Sequence, residues 1–271
     1  MNAKKIIERL HRGQRVYGTH IASTSPVWPG FVRGVGLDFV FIDTEHVPID
    51  RAQLSWMCRT YDALGLPPIV RIPAPDPYQA CMALDAGAAG IVAPYVETVA
   101  EAEALRGAVK FRPLKGQRLK DALAGKALDE PLASYLQHRN EARLLILNIE
   151  SAPAMDNIDA LLDVPGVDAV LVGPHDLSCS LNRPEAYADP VQEETINKLI
   201  AKARAKQVGV GIHVFYGDLE QETRWLKAGA NLVIHGSDVL LFSETLRREV
   251  AQLKEVFGDK ALIVAGTDEV I

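Results

Sequence analysis

Two carboxylates stand at the ends of successive apolar runs in this sequence. Glu150 follows the run 144–149, and Asp176 lies shortly after the run 169–172. Both runs are rich in Leu, Ile and Val, which is typical of buried parallel strands. Because the carboxyl ends of parallel strands meet at one mouth of a sheet or barrel, we expect the two side chains to lie close together. Such oxygen ligands favour a divalent metal ion, Mg²⁺ or Mn²⁺, and also accept Co²⁺.

The alternative for both acids is structural, since Asp, and less often Glu, caps the first turn of a helix. Ser151 is a better cap for the helix that follows Glu150, which leaves that carboxylate available. Two carboxylates fill only part of the octahedral shell of a divalent cation, so substrate and water are expected to complete it. We therefore predict Glu150 and Asp176 as metal ligands.

Other polar side chains follow other predicted strands. The second strand ends in Asp43-Thr44-Glu45-His46, and Arg71 lies within the apolar third strand. An Arg there is costly to bury without an anion, so we predict that it stabilises an oxyanion formed during reaction. The alternative is a structural ion pair with Asp43 or Glu45. Asp43 and His46 resemble an orienting acid and its catalytic base, the alternative being a solvated loop histidine.

The segment Gly173-Pro174-His175-Asp176 leads from the sixth predicted strand towards a helix. Its backbone N–H groups are suited to holding a substrate carboxylate beside the metal. No lysine ends a predicted strand, which argues against a Schiff-base aldolase. No G-x-G-x-x-G follows a strand, which argues against a dinucleotide site.

The elements that would position these residues alternate between short apolar strands and longer helical segments. Eight candidate strands can be counted, the number that closes a (β/α)8 TIM barrel of the α/β class. They cover residues 17–21, 39–43, 68–72, 90–93, 144–149, 169–172, 208–212 and 232–235. We expect a single domain over residues 1–271, with the barrel core at about 15–245 and a C-terminal helix and tail at 240–271.

The bulk composition excludes several classes of function. The chain has 271 residues and a net charge of −6, which argues against binding to nucleic acid. No apolar run approaches the ~20 residues that cross a bilayer, and the first residues lack the apolar core of a signal peptide. Cys58, Cys81 and Cys179 are far apart, without zinc or disulfide spacing. We expect a cytoplasmic protein that binds no membrane.

Three further segments carry weaker expectations. The region 111–131 is rich in Lys and Arg and is predicted to be irregular. It would cover an anionic substrate, dock on another subunit, or simply be a solvated excursion. The apolar tail 261–265 is expected to pack on this subunit or a neighbour. Trp28, His213 and Phe215 are candidate walls of a substrate pocket, although His213 and His235 are also expected to be core or rim histidines.

The segments 41–46, 70–73, 149–150 and 172–178 together resemble the HpcH/HpaI aldolase family of class II pyruvate aldolases, with the citrate lyase β-subunit as a more distant relative. The similarity is ordered along about residues 15–245. It implies a TIM barrel that forms homo-oligomers, a hexamer or trimer of dimers, through an exchanged C-terminal helix. It also implies a divalent cation on Glu150 and Asp176 that is chelated by pyruvate. Asn148 departs from the Gln that is frequent in this family.

The resemblance further implies that Arg71 steadies an enolate oxygen and that His46, paired with Asp43, takes part in proton transfer. The expected activity is reversible cleavage of a 4-hydroxy-2-oxo acid to pyruvate and an aldehyde, which makes the protein a carbon–carbon lyase. Arg71→Ala is expected to fold normally and lose most activity. One alternative is an oxaloacetate decarboxylase or another lyase that uses the same enolate. A second alternative is a non-catalytic barrel that binds an acidic metabolite.

Overall fold

Eight parallel strands close into a barrel in the computed structural model, which describes residues 2–214 and 218–259. Each strand pairs with the next along the chain, and the last pairs with the first. The strands are β1 (Val16–Ile21), β2 (Phe39–Asp43), β3 (Pro68–Arg71), β4 (Gly90–Ala93), β5 (Leu144–Ile149), β6 (Ala169–Val172), β7 (Gly209–Val214) and β8 (Leu232–Ser237). The predicted (β/α)8 barrel is therefore confirmed.

The predicted strand limits differ from the observed ones mainly at the carboxyl ends. β3 ends one residue early, at Arg71, whereas β7 and β8 run two residues beyond the predicted limits. Val214 of β7 pairs with His235 of β8, and Ser237 of β8 pairs with His20 of β1, so each extension is supported by a neighbouring strand. Neighbouring strands therefore set these limits, which no single apolar run reveals.

Helices connect the strands and cover the outside of the barrel. They are α1 (Ala3–His11), α2 (Trp28–Val32), α3 (Arg51–Ala63), α4 (Pro77–Ala86), α5 (Val99–Lys110), α6 (Gly116–Leu123), α7 (Glu130–Asn140), α8 (Ala152–Asp156), α9 (Ile158–Leu162), α10 (Pro174–Ser180), α11 (Pro190–Ala205), α12 (Leu219–Ala228) and α13 (Asp238–Phe257). Gly87 and Gly229, each just before a strand, end α4 and α12 with positive φ angles, a backbone conformation that glycine adopts readily.

The basic region 111–131 is not irregular, contrary to the prediction. It contains α6 and reaches the start of α7. Leu119 and Leu123 of α6 pack against Gly107 of α5, where even a methyl group would crowd them. Its charges are largely paired, since Arg118 and Lys126 form ion pairs with Asp129 and Asp121 at 3.1 and 2.7 Å. Leu119 and Leu123 thus form a short apolar face that stabilises α6 by packing on α5. This face is too short to stand out in the sequence.

The interior of the barrel is apolar over most of its depth and polar at one end. Residues that alternate along the strands fill it, among them Phe39 and Phe41 of β2 and Leu144 and Ile146 of β5. α1 closes the amino-terminal end of the barrel, where its Leu10 is fully buried in the same cluster. The opposite end is left open for polar side chains.

The last helix, α13, exposes much of its apolar surface. Leu246, Leu253 and Phe257 are 49%, 60% and 76% exposed. α13 also borders a largely apolar groove of about 520 Å³ that includes Trp28 and Phe31. The sequence analysis predicted Trp28 as a wall of the substrate pocket, but Trp28 lies outside the cavity at the barrel mouth.

Within the described ranges, no helix has the length and hydropathy that spanning a membrane requires. The predicted tail 261–265 lies outside the described residues.

Candidate active site

Strand alternation carries polar side chains into the open mouth of the barrel. Phe39 and Phe41 point inward on β2, so Asp43 does as well. On β5 the inward Ile146 is followed two residues later by Asn148. Since every strand is parallel, these last inward positions meet at one end.

They line a cavity of about 320 Å³ at the carboxyl ends of the strands. The lining residues are His20, Asp43, His46, Arg71, Asn148, Leu171, Gly173, Pro174, His175, Asp176, His213, Ser237, Val239 and Leu240. All the predicted catalytic and substrate-binding residues are in this set. The structure thus brings together predicted residues as far apart in the chain as Asp43 and Asp176, as the topological argument predicts.

Glu150, the remaining predicted residue, lies against the wall of this cavity and is 5% exposed. Its carboxylate accepts a hydrogen bond from the backbone N–H of Tyr95 at 2.7 Å and another from the side-chain amide of Asn148. A Cβ at Gly173 would lie only 2.9 Å from Oε2 of Glu150, so a glycine there lets β6 approach the carboxylate. Ser151 caps α8, as predicted, by accepting from the N–H of Ala154.

The electrostatics of Glu150 favour a cation beside it. The pKa of its carboxyl is raised to about 7, chiefly by burial and also by the negative charges of Asp176 and Glu45, while the Tyr95 N–H and Arg71 oppose the shift. A buried carboxylate that faces other acids is stabilised in its charged form by a bound cation. Its hard oxygens therefore fit a divalent metal ion together with Asp176.

Asp176 lies in the first turn of α10, whose N-cap is Gly173. Neither acid is therefore a helix N-cap, which removes the structural alternative. Within residues 2–214 and 218–259, no three His, Cys, Asp or Glu side chains converge as a ready set of metal ligands. The sequence predicts two protein carboxylates as ligands, Glu150 and Asp176. Their role as metal ligands remains a prediction.

Arg71 forms a buried ion pair with Asp43, which was the structural alternative. Its Nε and Nη2 donate to the two oxygens of Asp43 at 2.9 and 2.5 Å, and Nε also lies 3.2 Å from Glu45 Oε2. Burial opposes the charge on both partners, but their bonds outweigh it, which raises the pKa of Arg71 and lowers that of Asp43. The pair is a rigid and permanently charged element of the site.

The predicted pairing of His46 with Asp43 is wrong in this structure. Nε2 of His46 lies 3.6 Å from Glu45 Oε1, and its side chain is 47% exposed, whereas Asp43 is engaged by Arg71. The reason is strand alternation, because Asp43 ends the inward face of β2 and His46 lies three residues further in the connecting loop. Glu45 also accepts from the Tyr95 hydroxyl, a bond that raises the pKa of Tyr95 to about 12.

Sequence reasoning missed His20, Tyr95 and Ser237. A signal for His20 was present, since it continues the inward alternation of Val16 and Gly18 on β1. Tyr95 gave no such signal, because it acts through a backbone N–H in a loop where its φ is +54°. His213, expected at the core or rim, is half-buried in the wall of the cavity, and Phe215 lies outside the described residues.

His235, the other rim histidine, lies outside the barrel interior. Its Nδ1 is 2.8 Å from Glu222 of α12. That hydrogen bond raises the pKa of His235. The expectation of a rim histidine with a satisfied partner is therefore confirmed.

Comparison with known proteins gives one consistent result. A 2-keto-3-deoxy-L-rhamnonate aldolase of Escherichia coli (strain K12) is 29% identical over 247 residues, which cover 91% of this chain and 92% of that protein. A solved structure of an HpcH/HpaI aldolase/citrate lyase family protein from Burkholderia cenocepacia J2315 is 28% identical, with a TM-score of 0.80 over 93% of this chain and 99% of that one. The structure of citrate synthase SbnG is 27% identical, with a TM-score of 0.80 over 94% and 99% of the two chains.

These relatives confirm the expected class of enzyme, a carbon–carbon lyase of the aldolase type. The model of the HpcH/HpaI aldolase/citrate lyase family matches residues 17–245, which include all eight strands except the first residue of β1 and every residue of the candidate site. The resemblance of the four sequence segments is thereby confirmed, and the chain belongs to the HpcH/HpaI aldolase/citrate lyase family.

Proposed function

We propose that this lyase reversibly cleaves a 4-hydroxy-2-oxo acid to pyruvate and an aldehyde, with Mg²⁺, Mn²⁺ or Co²⁺ held by Glu150 and Asp176. The observation that carries the proposal is the buried Glu150 carboxylate beside Asp176, at a mouth that also contains Arg71. The name of the related rhamnonate aldolase supports the same class of substrate. Three free cysteines support the cytoplasm as the compartment.

The bound metal ion would contribute to the chemistry as a Lewis acid. When bound, the cation would polarise the keto group of the 2-oxo acid and make its C3 protons acidic. Glu150 is held ready for it by Tyr95 and Asn148, so little reorganisation of that carboxylate is needed on binding. Gly173, Pro174, His175 and Asp176 form the adjoining wall, where the start of α10 suits the substrate carboxylate.

Arg71 stabilises negative charge on the substrate oxygen. Asp43 and Glu45 engage its Nε and Nη2, which orients the guanidinium and leaves Nη1 for the substrate side. A donor that is fixed before the reaction does not need to reorient as charge develops, and this is what makes it effective. Asp43 thus acts on Arg71 as a positioning residue.

His46 is the group placed to move a proton. It lines the cavity, is half exposed to solvent and has the Glu45 carboxylate as its neighbour. This combination lets it exchange protons with water between turnovers while it faces the substrate. We assign it proton transfer on the aldehyde half of the substrate.

The exposed face of α13 supports homo-oligomer formation, with a hexamer of exchanged C-terminal helices as the proposed assembly. The apolar residues of that face would be costly to leave in water. Light scattering of the purified protein measures the oligomer directly, and a monomer would contradict this part of the proposal.

The decisive experiment removes and restores the cation. Protein dialysed against EDTA is expected to release no pyruvate from 2-keto-3-deoxy-L-rhamnonate or from other 4-hydroxy-2-oxo acids, and added Mg²⁺, Mn²⁺ or Co²⁺ should restore the release. Pyruvate is measured with a coupled dehydrogenase. Full activity after chelation, or no cleavage of any such acid with metal, contradicts the proposal.

The same assay separates aldol cleavage from oxaloacetate decarboxylation. Decarboxylation needs the cation and Arg71 but no proton transfer at an aldehyde carbon. His46→Ala is therefore expected to lower aldol cleavage while decarboxylation survives. Equal losses on both substrates would remove His46 from the role assigned to it.

A further inference from the structure

One buried polar group of the cavity has no function in the reaction as described so far. His20 of β1 is 4% exposed and lines the cavity. Among the described residues, its Nε2 has no hydrogen-bond partner. Burying an imidazole nitrogen without a partner costs free energy that an apolar side chain would not cost. A ligand atom that completes the hydrogen bonding of His20 removes this cost.

The position of His20 shows which part of the substrate it faces. In the closed barrel, β1 lies across from β5, which carries the Glu150 end of the site. Pyruvate is proposed to bind at Glu150 and Asp176, so the wall formed by β1, β7 and β8 borders the aldehyde half. That wall contributes His20, His213 and Ser237 to the cavity. The polar character of this wall is therefore available to recognise the aldehyde.

Packing fixes the ring of His20. It meets Phe41 and His213 edge-on, with centroid distances of 5.6 and 5.7 Å. Burial lowers the pKa of His20, and it lowers that of His213 further. Both rings are therefore neutral at pH 7, and a neutral imidazole offers one donor and one acceptor. Nε2 of a fixed, neutral imidazole either donates or accepts, depending on the tautomer, and a hydroxyl group matches both cases because it can accept and donate.

We propose that His20 selects the aldehyde by hydrogen bonding to a hydroxyl group on it, so that this enzyme prefers hydroxylated aldehydes over apolar aldehydes of the same size. The inference rests on the proposed function, because it assigns the second substrate of that same site. Sites built to bond a hydroxyl discriminate strongly against analogues that lack it.

Glycolaldehyde and propionaldehyde test this, since they differ only by a hydroxyl in place of a methyl group. Each is condensed with pyruvate in the presence of Mg²⁺, and kcat/KM is measured for wild type, His20→Phe and His20→Leu. The ratio of kcat/KM for glycolaldehyde to kcat/KM for propionaldehyde should be about tenfold lower in both variants than in the wild type. Comparing this ratio between enzymes cancels the intrinsic reactivities of the two aldehydes. His20→Gln replaces the imidazole with an amide that can still donate and accept hydrogen bonds, so it should recover part of the ratio.

Tyr17→Phe is the matched control. Tyr17 lies on the same strand but is 43% exposed and does not line the cavity, so its loss should leave the ratio unchanged. A ratio within twofold of wild type in folded His20→Phe and His20→Leu overturns the inference. Deuterium exchange into the methyl group of pyruvate by the wild type, without aldehyde, reports the proposed function separately. Absence of both exchange and condensation in the wild type overturns the proposed function, and the inference with it.

Discussion

The two ends of the barrel treat buried polar groups in opposite ways. At the amino-terminal end, Asp168 accepts from Lys110 at 2.6 Å and from the N–H of Leu145 at 2.8 Å. The side chain of Asn231 likewise donates to the Leu10 carbonyl and accepts from the N–H of Val210. Each of these groups has partners on neighbouring segments. They tie α1 and the strand starts together.

At the carboxyl-terminal end, several buried polar atoms lack such partners. Among the described residues, Nε2 of His20, Oδ1 of Asn148 and Oε2 of Glu45 make no hydrogen bond, although the last lies within ion-pair distance of Arg71. Glu150 is a buried carboxylate whose pKa is raised. Unsatisfied groups in a native core need an explanation. Here the explanation is that ligands complete them, and the difference separates a stabilising end from a reacting end.

The largest expected effect is that of Glu150→Gln on activity. This change removes the buried charge but keeps the shape, so kcat/KM should fall by at least ~10³-fold while the melting temperature stays equal or rises. Steady-state kinetics and thermal unfolding measure the two quantities. Activity within tenfold of wild type would mean that the mouth is not organised around this carboxylate.

Substitutions of Arg71 should change both activity and stability, because Arg71 lies at the reacting end of the barrel and also forms a buried ion pair. The structure revises the expectation that Arg71→Ala folds normally, since the change leaves Asp43 buried without a partner. We expect a loss of about 3–5 kcal/mol in the free energy of unfolding. Arg71→Lys keeps a charge but not the two-point contact, and its kcat should fall ~10²–10³-fold. Urea denaturation and kinetics on both variants check this, and an unchanged stability of Arg71→Ala would contradict the ion-pair argument.

Asp168→Ala probes the opposite end. Its loss leaves the N–H of Leu145 without this partner and Lys110 with only the carbonyl of Arg143, which should lower the free energy of unfolding by roughly 3 kcal/mol. Because Asp168 precedes β6, at the end away from the cavity, kcat of the folded fraction should be unchanged. A fall in kcat larger than the folded fraction explains would show that the two ends are not separate.

The smallest effect concerns the His235–Glu222 pair, which lies outside the barrel interior. Like the polar groups at the amino-terminal end, its two side chains satisfy each other. Glu222 raises the pKa of His235. The pair therefore stabilises the fold below the ordinary histidine pKa of about 6.5, and this contribution is lost as pH rises through the raised value. Since His235 is 35% exposed, Glu222→Gln should cost less than ~1 kcal/mol at pH 6 and less still at pH 9. An equal or larger cost at pH 9 would show that titration of His235 is not involved.

Much of the site followed from the order of elements in the sequence. The eight strands, their parallel arrangement and the meeting of Asp43, Arg71, Glu150 and Asp176 at one mouth required only periodicity and topology. The partner of each side chain did not follow from them. Asp43 was assigned to His46 but binds Arg71, because Asp43 and Arg71 are register partners on adjacent strands. Register is set by the whole barrel and not by the local sequence.

By itself, the amino-acid sequence determined the barrel, the family and the set of residues that reach its mouth, since strand period and strand order fix which positions face inward and at which end. Only the tertiary structure decided which of those groups are paired and which are left for a ligand. The hydrogen bond from the Tyr95 N–H to Glu150 and the lack of a partner for Nε2 of His20 among the described residues depend on distances between segments far apart in the chain. Hydrogen bonds act over about 3 Å, so an error of one residue in register abolishes them while leaving the sequence pattern intact.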